Sequence, residues 1–340
     1  MSISILDNDG ITIGPADAFD HHDWNDLVER SPQTNVFHRR ESLAVQADHA
    51  NARLHALVGY KGHEPVGIFP VFEKRAGGMS MAFSPAPSLW VSYLGPALLN
   101  FRKLKRRKRE RRTKRFVRGC LDWVDREVGP KYTQVRPDPA FRDVRPFEWN
   151  DYEIDVRHTY SVDLTRDEDD LLKSFSSDAR NNVRTEGDYR VYEGGPDEIE
   201  AIVSQVRERH DEQDESYGVT PSFVIDLHER LPEGTVRPYA CEIDGEVAGG
   251  MVALEDGDTV YRWQGGAKHH RDLPVNDLVD WTIMADAMDR GIERYDLVGA
   301  NEERLCGYKA KFAPRLRAHY TLEKGNKVTN ALSSVYQRLR

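Results

Sequence analysis

The chain has 340 residues, 39% of them hydrophobic and 31% charged, with a formal charge of −9. That much apolar material excludes large-scale disorder, and the length asks for two domains of ordinary size rather than one core. Cys120, Cys241 and Cys306 form no CxxC pair, which excludes a disulfide framework and a cysteine zinc site and suits a reducing compartment.

Met1 to Gly10 carries Asp7 and Asp9 and lacks the basic-then-apolar order of a secretion signal, so a cytoplasmic protein is expected. Ala16 to Glu29 reads as a helix with Phe19, Trp24, Leu27 and Val28 as apolar positions, and a second helix covers Arg39 to Ala50. Leu54, Ala56, Val58 and Tyr60 then alternate, Lys61-Gly62 turns the chain, and Val66 to Phe72 returns as a hairpin. Further strands are expected at Met79 to Phe83 and Trp90 to Leu94. The 26 uncharged positions from Ala76 to Phe101 are long enough to span a bilayer, but Pro85, Pro87, Gly95 and Pro96 break such a helix, leaving buried strands and loops.

A long helix is predicted from Phe101 to Val128, apolar in its second half. Between Arg102 and Arg118 it holds twelve basic residues and one acid, a local +11 that leaves −20 for the rest of the chain. Two readings stand side by side: a solvated helix face, or a site for a polyanion such as tRNA, anionic headgroups or a diphosphate. On the second, Arg102, Lys105, Arg106, Arg107, Arg109 and Arg112 are the contacts.

After a strand at Tyr160 to Leu164, one helix is expected from Asp167 to Glu186, with Leu171, Phe175, Ala179 and Val183 on one face and Gly187 as its stop. Arg180 and Arg184 project from one side of it. Tyr189 to Tyr192 is a strand; Asp197 to His210 and Ser222 to Arg230 are helices. A three-strand meander follows, Val236 to Ile243, Val247 to Leu254 and Thr259 to Gln264, turning at Asp244-Gly245 and Asp256-Gly257. Leu278, Trp281, Ala285 and Met288 stripe the next helix, and Tyr295 to Asn301 is a strand ending at a glycine before the helix start that carries Lys309 and Lys311. The two hairpins at 56–67 and 240–249 resemble each other, as a duplicated unit would.

The order helix, helix, meander with the turn Asp244-Gly245-Glu246-Val247-Ala248-Gly249-Gly250, helix, strand resembles the GNAT acyltransferase fold. Its doubling resembles the FemAB-like aminoacyltransferases and the acetyltransferase-like proteins of polysaccharide and exopolymer systems. The motifs that carry this are Tyr93-Leu94-Gly95-Pro96, Arg180-Asn181-Asn182-Val183-Arg184, Pro274 to Leu278, Tyr295-Asp296-Leu297 and Tyr308 to Phe312. The likeness covers most of 155–323 and, more weakly, 16–150. It implies an α/β (α+β) protein of tandem GNAT-like domains, each a mixed, mostly antiparallel twisted sheet flanked by helices. The domains would be 1–152 with the basic helix, 153–325 with the site, and a tail at 326–340.

Members of that family transfer an amino acid from aminoacyl-tRNA to the amine of a cell-wall peptide precursor, which implies a place in cell envelope biogenesis. The resemblance puts Arg180 at the family's basic residue before the second-domain strand and Lys309 at its lysine after the Tyr-Asp-Leu strand. Two departures are visible. The chain has no heptad-patterned helical arm for tRNA, and His269 to Asn276 lacks the glycine-rich pyrophosphate loop of acetyl-CoA enzymes.

Acyl transfer to an amine needs a neutral nucleophile, positive charge near the developing oxyanion, and alignment of two substrates. Lys309, as oxyanion or phosphate ligand, and Gln264 are the catalytic candidates. Substrate-binding candidates are Arg180, Arg184, Tyr93, Tyr217, Tyr261, Asn276, Asn301 and Lys311. The plainer readings are surface lysines, helix-face pairing of the arginines with Asp178 or Glu186, and packing for the aromatics. Cys306 has no activating partner, and His21-His22 and His269-His270 lack metal spacing, so no metal is expected. The expected activity is transfer of an aminoacyl or other acyl group to an amine on a phosphate-bearing or lipid-linked acceptor. No cofactor is held tightly; the donor is an aminoacyl-tRNA or an acyl-CoA, and contact with tRNA or the inner face of the membrane is open. The alternatives are an acetyl-CoA-dependent N-acetyltransferase and a non-catalytic module docking on RNA or anionic membrane.

Overall fold

A computed structural model describes residues 4–19, 22–100, 103–267 and 273–325. Two compact units divide the chain: residues 1–156 with 319–340, and residues 157–318. The division falls at 156/157 rather than 152/153, and 319–325 go with the first unit, because the last strand pairs there with Tyr132–Val135. The proposed tail, 326–340, lies outside the described residues.

The first unit begins with a hairpin, β1 (Leu6–Asn8) and β2 (Ile11–Pro15), turned by Asp9 and Gly10, both at positive φ. The helix expected from Ala16 is shorter: Ala16–Ala18 is a single 3₁₀ turn, and α1 is Trp24–Glu29, started by the Asp23 side chain accepting from Asn25 N. Then come α2 (Arg40–Ala50), β3 (Arg53–Lys61), β4 (Glu64–Ala76), β5 (Met79–Ser84), the short β6 (Ala97–Leu98), α3 (Arg106–Glu127), β7 (Tyr132–Val135) and α4 (Arg145–Glu148). Trp90 to Leu94 is not a strand; only Leu94 bridges, to Pro137.

The second unit takes in β8 (Glu153–Asp163) from Arg157 onward, and β8 leads to α5 (Glu168–Ser174) and α6 (Ser177–Asn182). These replace the single expected helix, since Phe175 and Ser176 are extended and the Ser176 hydroxyl caps a new start at Ala179 N. Next are β9 (Tyr189–Glu193), α7 (Pro196–Asp211), α8 (Pro221–Arg230), β10 (Val236–Ile243), β11 (Glu246–Asp256), β12 (Thr259–Gly265), α9 (Val275–Asp289), β13 (Arg294–Asp296), α10 (Glu303–Ala310) and β14 (Arg315–Gly325), whose end returns to the first unit.

Each unit repeats one plan. Strands run β1-β2-β3-β4-β5-β7-β14 in the first and β8-β13-β12-β11-β10-β9 in the second. A meander (β3-β4-β5, β10-β11-β12) is followed by a long helix (α3, α9) and a strand parallel to the meander's last member, β7 against β5 and β13 against β12. The tandem, mixed, mostly antiparallel architecture expected from the motif order is therefore present. Glycines in the hairpins admit the helices. A Cβ on Gly59 or Gly67 would lie 2.6 Å from the Phe116 ring of α3, and one on Gly250 would lie 2.6 Å from Ile202 of α7. Phe116, Val117, Leu121 and Val124 join Leu57, Phe69 and Val71 in one core; Val279, Ile283 and Met284 join Tyr239, Met251 and Val260 in the other. Among the described residues, no helix is long and apolar enough to cross a membrane, and no cluster of His, Cys, Asp or Glu is placed to hold a metal ion.

Candidate functional site

In the second unit, parallel β12 and β13 end on the same side, with Tyr261 opposite Asp296. Ligands collect beyond such ends. After Asp296, Val298 and Gly299 take φ of 46° and 80°, and both their carbonyls accept from Lys309 Nζ, at 2.6 and 2.7 Å. A β-branched residue at positive φ needs support. Val298 N donates to Asp296 Oδ1 at 2.8 Å, while Thr159 Oγ1 donates to the same oxygen at 2.6 Å and accepts from Gly299 N at 3.2 Å. Lys309 is 5% exposed. Loss of water, then the charge of Arg262, pulls its ammonium down to about 8. Two of its three N–H groups are used; the third donates to no acceptor among the described residues.

Below that turn lies a buried carboxylate. Asp280 of α9 accepts from the Tyr295 and Tyr308 hydroxyls, each at 2.6 Å, and from Arg262 Nε at 2.8 Å. Burial, with Asp280's charge second, holds both phenols well above their ordinary range, so they remain donors. One turn earlier on the helix Asp277 takes Lys311 Nζ on one oxygen and Asn182 Nδ2 on the other, and the Lys311 ammonium also lies 4.0 Å from the Tyr308 ring centre.

The end of β12 carries a second polar group. Trp263 is the extra residue of a bulge in β12, opposite Val252 and Ala253 of β11, and this lets both Trp263 and Gln264 be buried. Gln264 Oε1 accepts from the Tyr217 hydroxyl at 2.6 Å, and Tyr217 stacks on His210 with ring centres 4.7 Å apart. Next to them Arg209 of α7 reaches Gly266, where an added Cβ would lie 3.5 Å from two guanidinium nitrogens. Burial depresses its pKa, and it has neither an ion pair nor a hydrogen bond among the described residues. Asn276 closes the group by pairing its amide with Ala267 N (2.8 Å) and Ala267 O (3.4 Å).

Of the residues singled out from sequence, the structure brings Gln264 and Tyr217 into contact and packs Lys309 and Lys311 around α10 and its preceding turn. Asn276 ties its amide to the backbone just past β12, and Asn301 does the same at the middle of β8. Asn301 accepts from His158 N at 2.8 Å and donates to His158 O at 3.1 Å. Arg180 caps α5, its NH1 donating to Phe175 O and Lys173 O, and pairs with neither Asp178 nor Glu186. Arg184 is exposed and Tyr261 half-buried. Tyr93 is a core residue of the first unit, edge-on to His319 at 5.0 Å. On α3, Arg106 pairs with Glu110, Arg112 with Glu64, and Arg109 donates to Leu104 O, whereas Lys105 and Arg107 stand exposed. Arg102, His21 and His269-His270 lie outside the described residues.

Sequence reasoning missed Arg209, Arg262, Asp277 and Asp280 as site residues. The aspartates had a signal: two carboxylates three apart in a helix otherwise apolar at Val275, Leu278, Val279 and Ile283 need partners when that face is buried. Arg209 had none, standing among the ordinary charges of the α7 carboxyl end.

Residues 174–310 match the family model described as an acetyltransferase (GNAT) domain. No curated protein matches the chain. Among solved structures, FemX superposes with a TM-score of 0.69 at 11% identity, over 92% of this chain and 97% of that one. L-PGS from Bacillus licheniformis gives 0.57 at 11% over 93% and 95%. The C-terminal domain of a putative lysylphosphatidylglycerol synthetase from Agrobacterium fabrum gives 0.53 at 14% over 92% and 96%. At such identities the likeness is one of fold.

Proposed function

From a chain whose second unit is a GNAT-type acyltransferase domain within a FemAB-like fold, we propose that it joins an aminoacyl or other acyl group to an amine on a phosphate-bearing or lipid-linked acceptor. Arg209 carries this reading. The charge of Glu212 acts on this half-buried guanidinium without a hydrogen bond or ion pair to it, and a bidentate phosphate is the partner that such a group takes. It lies beside Gly266 at the end of β12, while Lys309 offers its third N–H from the turn after β13. As the acceptor amine attacks the acyl carbonyl and the C–N bond forms, the Lys309 ammonium would meet the oxyanion, and Gln264, fixed by Tyr217, would orient the amine. The bond to the donor's ester oxygen or thioester sulfur would then break, and that leaving group would take up the proton that the amine gives up. One of the similar structures is a domain of a putative lysylphosphatidylglycerol synthetase, a name that joins an aminoacyl group to a phosphate-bearing lipid.

The test is mass-spectrometric detection of acylated product from charged tRNA or acyl-CoA with nucleotide-linked and lipid-linked amine acceptors. Arg209→Gln should raise KM for a phosphate-bearing acceptor about ten- to hundred-fold with kcat nearly kept, the signature of lost ground-state binding. Absence of product with every phosphate-bearing acceptor, together with turnover of an uncharged amine, would overturn the reading. A second reading, acetyl-CoA-dependent N-acetylation, is favoured by the family model's description. Acetyl-CoA alone raising the melting temperature and acetylating a phosphate-free amine would select it.

A further inference from the structure

The acyl-transfer reading leaves α3 unused. Its inner face is core, through Thr113, Phe116, Val117, Cys120, Leu121 and Val124. Its outer face carries Arg107, Arg111 and Lys114 at i, i+4 and i+7, one straight row about 10 Å long at the rise of a helix. All three are exposed, and none pairs with a carboxylate among the described residues. Glu110, three residues after Arg107 and four before Lys114, pairs with Arg106 and Arg145 instead. Beside the row stands Trp149, 54% exposed, with Lys114 Nζ 5.3 Å and the Arg145 guanidinium carbon 5.6 Å from its ring centre.

We propose that this face, Arg107, Arg111 and Lys114 with Trp149, docks on the surface of an anionic phospholipid bilayer. Mutually repelling cations held in one row call for negative charge opposite them. A bilayer fits better than a nucleic acid on two grounds. A row along one helix face is matched to a plane, and an exposed indole flanked by cations is what the headgroup level takes, apolar ring inward and N–H to water. In addition, the rest of the chain is acidic, −20 outside 102–118, which disfavours wrapping by a long polyanion but not contact through one face. This surface does not depend on what the second unit transfers.

The experiment is cosedimentation of the full chain with vesicles of phosphatidylcholine alone and of an equal mixture with phosphatidylglycerol. Each cation near such a surface is worth about five-fold in affinity, so changing Arg107, Arg111 and Lys114 together to Gln should weaken binding to the mixed vesicles about a hundred-fold. Trp149→Ala should weaken it several-fold at fixed salt, and neutral vesicles should sediment little of either protein. Because these side chains are exposed, the variants should melt as the parent does by circular dichroism, which separates loss of binding from loss of fold. Equal binding to the two vesicle types, or a triple variant that binds like the parent, would overturn the proposal. Retention of polyuridylate lost in the triple variant, with both vesicles ignored, would overturn it in favour of RNA.

Discussion

The Tyr308 hydroxyl donates to Asp280 Oδ2 at 2.6 Å while Arg262 Nε donates to Oδ1 of the same carboxylate at 2.8 Å, so one buried aspartate ties α10 to β12 across α9. The Asp280 side chain is fully buried and that of Arg262 is 15% exposed. Removing one member of such a pair strands the other. Asp280→Asn should cost about 3–5 kcal/mol in urea unfolding, whereas Tyr308→Phe, losing one charged hydrogen bond with no orphan cation, should cost about 1.5–3 kcal/mol. Equal losses would mean that the carboxylate is not what holds these elements together.

Lys309 makes a pH prediction of definite sign. Its folded pKa, about 8, lies below the ordinary 10.5, so the folded protein gives up this proton before the unfolded chain does. Between those values the unfolded state binds more protons, and stability rises with pH. Below about 8 both states are charged and the destabilisation is fully present. Lys309→Met should therefore flatten the stability profile between pH 8 and 10.5 relative to the parent. Comparing the two proteins removes the opposing effect of the buried phenols, which stay protonated in the fold. Unfolding midpoints across that range decide it; parallel profiles would place the ammonium in water.

The elements legible in the sequence were those whose signal is local. Asp-Gly turns between alternating strands marked the β10-β11-β12 meander, and the apolar stripe of α9 marked its helix. The break between α5 and α6 was hidden because Leu171, Phe175 and Ala179 keep helical spacing across it, and only the Ser176 cap shows that the chain restarts. The polar core was hidden for a different reason. Arg262, Asp280, Tyr295 and Tyr308 are brought together by the packing of β12, α9, β13 and α10, and no short-range pattern records that. Lys309 was found from its place after a strand end, while Arg180, found from its helix face, caps α5 instead.

His38 belongs to the first unit and has the opposite surroundings from an ion pair. Its Nδ1 accepts from Asn35 N at 3.1 Å, which leaves Nε2–H to donate to Gly95 O at 3.2 Å, fixing a neutral tautomer. Burial lowers its pKa from 6.5 to about 4, outweighing the hydrogen bond to Gly95 O. The unfolded chain takes up the proton first, so stability falls as pH drops from 6.5 towards 4, by about 3 kcal/mol in all. In His38→Gln that acid loss should shrink, seen as a smaller shift of the urea midpoint between pH 7 and 4.5; an unchanged shift would assign it to other groups.

Phe116 fills the space in front of Gly59 and Gly67, so the junction between α3 and the β3-β4 hairpin depends on two missing side chains. A Cβ on either glycine would stand 2.6 Å from the ring, and at Gly67 also 2.9 Å from Ala97 O, closer than real contacts allow. Ala97 belongs to β6, itself paired with β4, so the backbone has little room to yield. Gly59→Ala should cost about 1–3 kcal/mol by overpacking. Phe116→Leu alone should also cost about 1–3 kcal/mol through lost contact and cavity. Made together they should cost less than the sum, since the smaller side chain makes room for the methyl group; the coupling should be at least about 0.5 kcal/mol. Gly67→Ala should be rescued less well by Phe116→Leu, because the clash with a carbonyl remains. Strict additivity of Gly59→Ala and Phe116→Leu in a urea double-mutant cycle would show that the glycine serves the strand rather than the helix above it.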